Sequence, residues 1–493
     1  MLKSGRDHLE SIRDGRTIYI GSERVTDVTT HPAFRNAAQT VADVYDLKAS
    51  AEHRDIASFI AEDGHRYASY YLQPKSREDL RLRTRAHRLI ADATYGMWGR
   101  SIDHVSSFIT AMAMRPDIFS RKGEQYGRNI VDCYKRMRAE DAYATYAVLP
   151  PQAARDPGYY QRANLPVPTL RVVAEKDDGI VISGMKMLAT GGVFCNYVFI
   201  GNLLPLAASQ LKEAVTCIVP VNAPGLALWS RKPLEREAKS QFEQPLTWKF
   251  DETDSMLMCD SVKVPWECVF TMDDPEQSRA IYIETPAHSF GNHQSNVRYH
   301  SKLKFIVGLA SRITEATGAD QVPAVRETLG RLASLEAAID GMIAGQIESA
   351  EDWGGGHVGY NRRMVYAALN WCTEQYSPII DCLRELCGGG VFQMPADISV
   401  MSDPEIAKQF ETYYQTPQLG AKDRMKLFKL AWDLVGTEFA GRHQSYEKFY
   451  AGASFIVKGH NFREAPWPEL RKPVDDFLGS YDVPAEYLRQ AAE

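Results

Sequence analysis

Apolar residues recur at a spacing near 3.6 along residues 77 to 97, at Leu80, Leu82, Ala86, Leu89, Ile90 and Ala93, which predicts an amphipathic helix. The pattern resumes from Val105 to Ile118, interrupted at Pro116, and a more polar stretch from Arg121 to Met137 predicts a third helix. Pro150-Pro151 and Pro157 then break the texture. Residues 168 to 270 carry short β-rich runs such as Leu170-Arg171-Val172-Val173-Ala174, Tyr197-Val198-Phe199-Ile200 and Ala214-Val215-Thr216-Cys217-Ile218-Val219. Turn residues, among them Asp177-Asp178-Gly179 and Asn222-Ala223-Pro224-Gly225, separate them. Such short, closely spaced strands predict an antiparallel barrel or sandwich rather than a βαβ unit. Past about residue 295 the apolar stripes lengthen, over Ser301 to Thr317, Val322 to Ile347, Arg362 to Leu386 and Ala421 to Phe439. Four long helices with short connectors predict an antiparallel bundle. The expected organisation is an N-terminal helical domain (1–148), a middle β domain (149–278) and a C-terminal four-helix bundle with a tail (279–493).

Composition narrows the class. A chain of 493 residues exceeds what one hydrophobic core serves, and 44% hydrophobic with 24% charged residues is ordinary globular usage. With 57 Lys and Arg against 63 Asp and Glu, the net charge of −6 gives no footprint for nucleic acid or anionic lipid. No apolar run reaches the roughly 18 residues of a membrane helix, and the start, Met1-Leu2-Lys3-Ser4-Gly5-Arg6-Asp7, lacks the apolar core of a signal peptide. The expectation is a soluble cytoplasmic protein with no nucleic-acid or membrane partner. The eight cysteines are scattered and form no Cys-x-x-Cys pair, so neither a zinc site nor a redox dithiol is signalled, and buried free thiols are expected.

Familiar motifs are missing or misplaced. Gly354, Gly356 and Gly359 match a dinucleotide fingerprint, but they lie between two helices rather than between a strand and a helix, which reads as an interhelical loop. There is no P-loop, no His-Glu-x-x-His and no Gly-x-Ser-x-Gly. His293 and His300 share a helix face without a nearby carboxylate or thiolate, so no metal is expected. Denser clusters remain. Gly99-Arg100-Ser101-Ile102-Asp103-His104 joins two helices, where it reads either as a capping turn or as a site. His288, His293, Arg298 and His300 crowd the start of the first bundle helix, where a solvated helix end would equally account for them. Gly388-Gly389-Gly390 is either a helix cap or a place where backbone approaches a flat or phosphate-bearing ligand.

Taken together these clusters resemble the flavin-dependent monooxygenase family typified by the oxygenase component of 4-hydroxyphenylacetate 3-monooxygenase. The likeness runs from Ser4-Gly5-Arg6-Asp7-His8-Leu9-Glu10 through Gly99-Arg100-Ser101, Ala144-Thr145-Tyr146-Ala147, Gly184-Met185-Lys186-Met187-Leu188-Ala189-Thr190 and His293-Gln294. Its most specific stretch extends from Arg424-Met425-Lys426-Leu427-Phe428-Lys429 to Glu438-Phe439-Ala440-Gly441-Arg442. The resemblance implies an acyl-CoA dehydrogenase-like fold, mainly α with a β middle domain, and a homotetramer. It also implies a two-component enzyme. A separate NAD(P)H-dependent flavin reductase would supply reduced FAD; this chain would bind it, react with O2 and hold a C4a-hydroperoxyflavin. That species would hydroxylate a phenol ortho, or sometimes para with loss of a substituent.

By the same resemblance His293 would be the base or hydrogen-bond partner of the phenol, with Arg100 and Arg442 stabilising the phenolate and the oxygenated flavin. Gln152 and Thr190 would approach the isoalloxazine, and Arg298, Gly388 and Gly389 the phosphate or adenosine end. Members acting on 4-hydroxyphenylacetate carry Tyr where His104 stands and His where Tyr146 stands, so this pair is expected to bracket the substrate, and the specificity does not transfer. The rival readings are an acyl-CoA dehydrogenase, which needs a carboxylate base over the flavin, and 4-hydroxybutyryl-CoA dehydratase, whose cluster needs cysteines that residues 1–132 lack. A non-catalytic scaffold on the same fold is the third.

Overall fold

The computed structural model describes residues 2–165, 167–484 and 487. Helices α1 (Gly5–Ser11), α2 (Arg35–Ala49), α3 (Arg77–Ala93), α4 (His104–Met112) and α5 (Glu124–Glu140) form the first layer. The predicted Val105–Ile118 helix is therefore shorter, since Pro116 cannot continue it and instead opens a separate turn, Pro116–Ser120.

Strands β1 (Thr17–Ile20), β2 (Glu23–Val25), β3 (Ala144–Ala147), β4 (Arg171–Lys176), β5 (Gly179–Lys186), β6 (Tyr197–Ile200), β7 (Thr216–Pro220), β8 (Leu226–Ser230), β9 (Ser255–Pro265) and β10 (Val269–Thr271) build two packed sheets. One is ordered β2-β1-β8-β9-β5-β4 and the other β10-β7-β6-β3. Most neighbours are antiparallel, but β1 lies parallel to β8 and β3 parallel to β6. Both parallel partners come from the N-terminal third of the chain. The boundary expected at residue 148 thus falls just after a strand, β3, that is already part of the sheet.

Helices α6 (Pro275–Ile283), α7 (Ala287–Thr317), α8 (Pro323–Glu348), α9 (Arg362–Cys387), α10 (Ala421–Val435), α11 (Glu438–Phe449), α12 (Ser454–Glu464) and α13 (Trp467–Leu478) follow, with a further helix, Pro404–Tyr414, between α9 and α10. The boundary expected at 278 falls inside α6. The stretch Ala421–Phe439 is two helices: Gly436 ends α10, and the Thr437 hydroxyl caps α11 by accepting from the Ala440 amide at 3.3 Å. Helix α7 begins well before the stripe that predicted it. Every residue from Ala287 to Leu303 is buried, so this segment has no solvent face and no amphipathic signature. The glycines Gly354, Gly356 and Gly359 belong to a β-hairpin, Glu351–Gly354 with His357–Gly359, between α8 and α9. The glycines lie within the hairpin rather than at a helix N-terminus, since α9 is capped by Asn361 beyond them.

Candidate active site

Where the helical layer, the sheets and α7 and α11 meet, they enclose a cavity of about 320 Å³. Helix α11 presents Arg442, Ser445, Tyr446 and Phe449 to it, the 3–4–7 spacing of a single helix face. The chain after α11 adds Tyr450 and Gly452. Gly99 lets this helix come close: a Cβ there would lie 2.1 Å from the Tyr446 hydroxyl. Helix α4 supplies His104 and Phe108, one turn apart, with Arg100 just before it.

The sheet side is set by two loops running together. The Ala189 amide donates to the Ser255 carbonyl at 2.8 Å and the Gly191 amide to the Thr253 carbonyl at 3.0 Å. This pairing brings the Thr190 hydroxyl to Asp254 Oδ1 at 2.7 Å. Asp254 and the fully buried Glu252 both bind Arg442, with contacts of 3.0 Å each. Burial would raise the Asp254 carboxyl, but Arg442 and Arg231 hold it well below the usual carboxylate range. Glu252 also accepts the Arg100 backbone amide through its other oxygen. One carboxylate therefore fixes both arginines. The sequence reading missed Glu252 and Asp254; their signal is the run Asp251-Glu252-Thr253-Asp254, three acids just before the apolar run Met256-Leu257-Met258-Cys259.

Arg100 differs from Arg442 in its compensation. Its Nη1 meets His104 Nε2 at 2.8 Å and its Nη2 donates to the Tyr450 carbonyl at 2.7 Å, with the Tyr146 ring 5.2 Å from the guanidinium. No described carboxylate side chain pairs with the guanidinium. His104 Nδ1 contacts Gln294 Oε1 at 2.9 Å, and Gln294 Nε2 donates to Asp103 Oδ1 at 3.1 Å. Because Gln294 must donate to Asp103, its oxygen accepts from His104 Nδ1–H, and His104 Nε2 carries the lone pair that accepts from Arg100. Burial, then the Arg100 charge, hold the His104 pKa well below its usual value, so the imidazole is neutral.

The residues singled out in the sequence divide sharply. Arg100, His104, Tyr146, Thr190 and Arg442 line the cavity. His293 does not. Its Nε2 meets the Thr84 hydroxyl at 2.8 Å, its Nδ1 meets Gln346 Oε1 at 2.6 Å, and its ring stacks on Tyr360 at 3.5 Å. One residue is a 100° step around a helix, so His293 points away from the face that carries His288 and Asn292, which do line the cavity. With both ring nitrogens engaged in the core, it is not placed to act as the base. Arg298 is likewise committed, to Glu447 at 2.5 and 2.7 Å. Burial opposes the Glu447 charge, yet Arg298 and Lys302 hold its pKa at about 2. Gln152 lies exposed in a short turn after β3, and Gly388 and Gly389 are exposed at the end of α9, Gly388 with φ of 51°. None of these four reaches the cavity.

The walls suit a flat, heteroatom-rich ring. Arg442 Nη1 and the Tyr446 and Tyr450 hydroxyls are buried donors with no hydrogen-bond partner among the described residues. Such orphans are costly, and the carbonyl and imine acceptors of an isoalloxazine would satisfy them between the apolar Met187 and Leu188 and the Phe449 ring. Among the described residues no group of three or more His, Cys, Asp or Glu is placed to hold a metal ion.

Comparison with known proteins gives the family. Two family models match in tandem: 4-hydroxyphenylacetate 3-hydroxylase N terminal over residues 4–271, and its C terminal over residues 278–479. The chain is 31% identical over 461 residues to the 4-nitrophenol 2-monooxygenase oxygenase component of a Rhodococcus species, covering 92% of this chain and 87% of that one. It is 29% identical over 496 residues to the 4-hydroxyphenylacetate 3-monooxygenase oxygenase component of Pseudomonas aeruginosa, covering 97% and 93%. It superposes on a crystal structure of the oxygenase component HpaB complexed with FAD and 4-hydroxyphenylacetate, with a TM-score of 0.90, 28% identity and coverage of 97% and 98%. An archaeal 4-hydroxybutyryl-CoA dehydratase shares the fold, with a TM-score of 0.87 at 18% identity over 100% of this chain and 99% of that one.

Proposed function

The chain belongs to the 4-hydroxyphenylacetate 3-hydroxylase family, and on that premise we propose how its cavity serves the oxygenase component of a two-component flavin monooxygenase. The enzyme uses reduced FAD from a separate reductase, and O2, to hydroxylate a phenolic substrate. When bound, the reduced flavin and O2 supply the electrophilic oxygen atom. Thr190, Arg442, Tyr446 and Tyr450 would hold the flavin ring.

The observation that carries the reading is Arg100. Of the two cations lining the cavity it alone lacks a carboxylate side-chain partner among the described residues, so it presents uncompensated positive charge to a mostly apolar cavity. A phenol oxygen seated there is stabilised as phenolate, the more nucleophilic form. His104 Nε2 is the atom placed to take the phenol proton once that oxygen replaces it as the partner of Arg100 Nη1. Its Nδ1–H stays on Gln294, behind which Asp103 offsets the developing imidazolium charge. Tyr146 closes the other side of the same pocket, its ring 5.6 Å from His104. The family names 4-hydroxyphenylacetate 3- and 4-nitrophenol 2-monooxygenase both denote attack ortho to the hydroxyl, and we carry that position over to this chain.

A dehydrogenase base is not placed here. Among the described residues Asp254 is the carboxylate that lines the cavity, and Arg231, Arg442 and Thr190 occupy its oxygens and lower its basicity. We further read the protein as a homotetramer. Helix α13 has no buried residue, and Leu470, Val474, Phe477 and Leu478 form a continuous exposed apolar face that suits a second copy. No described helix is long and apolar enough to cross a membrane.

The test is stopped-flow mixing of enzyme and anaerobically reduced FAD with oxygenated buffer, with and without phenols, while products are identified. A transient flavin absorbance whose decay yields a catechol is expected. Stoichiometric hydrogen peroxide and oxidised FAD with every phenol would overturn the reading.

A further inference from the structure

Beyond Phe108 the cavity has a second polar pole. The Phe108 ring lies 5.3 Å from His104 on one side and 6.5 Å from His288 on the other, so it spans the distance between the phenol end and α7. His288 and Asn292 stand one helical turn apart on α7, are 7% and 5% exposed, and both line the cavity. Their hydrogen-bonding capacity is half used. Asn292 Nδ2 donates to the His288 carbonyl at 2.7 Å, which fixes the amide orientation and leaves Oδ1 as a free acceptor. His288 Nδ1 is taken by the Tyr366 hydroxyl at 2.8 Å, and its Nε2 has no partner among the described residues.

Neither lining residue of this pole is charged, and Arg463, the cation behind it, pairs with Glu464 at 3.0 Å. Burial, with His460, Arg463 and Arg100 nearby, holds the His288 pKa down at about 3, so the ring is neutral. Arg442 is compensated by Glu252 and Asp254, and Arg100 is engaged at the opposite end. A carboxylate delivered to His288 and Asn292 would meet no uncompensated cation among the lining residues at this end and, whichever tautomer His288 adopts, would face the Asn292 oxygen, acceptor against acceptor. A hydroxyl or an amide N–H would instead donate to that oxygen. Leu203 and Phe199 complete the wall with apolar surface.

We propose that His288 and Asn292 are the specificity-determining pole of the cavity, and that the substrate is a phenol whose second substituent is an uncharged hydrogen-bond donor rather than a carboxylate. This rests on the reading of the cavity as a phenol site, with the phenol oxygen at Arg100.

The experiment compares 4-(hydroxymethyl)phenol, 4-methylphenol and 4-hydroxyphenylacetate as substrates of the complete enzyme supplied with reduced FAD and O2. Their dissociation constants are measured separately by calorimetry without turnover. A buried hydrogen bond lost or left unmade shifts discrimination by about tenfold or more. The alcohol is therefore expected to exceed 4-methylphenol by about tenfold in kcat/KM and to bind more tightly, with 4-hydroxyphenylacetate weakest. Asn292→Leu should bring the alcohol-to-methyl ratio toward one. Equal values for alcohol and methyl, or 4-hydroxyphenylacetate as the best ligand, overturns the proposal while leaving phenol hydroxylation intact. Failure to hydroxylate any of the three, with hydrogen peroxide as the product, overturns the phenol reading and this inference with it. Should Asn292→Leu not fold, the wild-type binding series decides alone.

Discussion

His104 illustrates how much one residue's role depends on its neighbours. Its ring is buried, with the Arg100 guanidinium 2.8 Å from Nε2, and both effects favour the neutral form. A base must be unprotonated to accept a proton, so activity that depends on His104 survives as pH falls through 6.5 and is lost only further down. We expect the acid limb of kcat/KM to lie below pH 6.5. In Arg100→Gln the repelling charge is gone, so the limb moves to higher pH while the rate drops. A wild-type limb at or above neutrality, traced by product formation across pH, would remove His104 from that role. His293 makes the opposite case. His293→Ala leaves Gln346 Oε1 unpartnered and a void against Tyr360, while Thr84 keeps the Leu80 carbonyl, a cost of about 2–4 kcal/mol. A lowered urea midpoint with hydroxylation per folded molecule retained is the expected result. Loss of chemistry at unchanged stability would restore His293 to the site.

At the scale of elements, the cavity exists because glycines let helices approach. A Cβ at Gly291 on α7 would sit 1.8 Å from the Phe108 ring of α4. Gly291→Ala therefore forces Phe108 toward the substrate, at about 1–3 kcal/mol of strain. A raised KM for phenols with little change in flavin binding is expected, read from steady-state kinetics and flavin titration; an unchanged KM would show that the ring moves elsewhere. Gly99 plays the same part for α11, whose Tyr446 occupies the space a side chain would need. The sequence marked Gly99-Arg100-Ser101 as dense, but only the crossing of α11 explains why the glycine precedes the arginine.

For the whole molecule, the exposed face of α13 is the feature a monomer leaves unexplained. Leu470→Asp with Phe477→Asp places two charges on that face, and light scattering after size exclusion should show an assembly smaller than the wild type. An unchanged mass would mean that α13 does not join subunits. The order helical, β, helical was legible in the chain because amphipathic stripes and strand punctuation are local properties, as in Arg77–Ala93 and Arg362–Cys387. Two things were not legible. Residues 287–303 are buried on every side, so the helix that carries His288, Asn292 and Gln294 has no periodicity to betray it. The strands Thr17–Ile20 and Ala144–Ala147 join the sheets through parallel pairing with partners distant in the chain, which no local pattern encodes.

The sequence by itself determined the family, the fold class and the presence of Arg100, His104, Tyr146, Thr190 and Arg442, because motif order and residue type are written along the chain. Tertiary structure alone decided which histidine meets the cavity. His288 and His293 are equally plausible by type, and a rotation of 100° per residue separates a face lining the pocket from one packed on Tyr360. It also decided that Arg442 is compensated and Arg100 is not. That difference depends on where Glu252 and Asp254 fold, roughly 190 residues away from Arg442, and charge balance is a property of distance in space rather than along the chain.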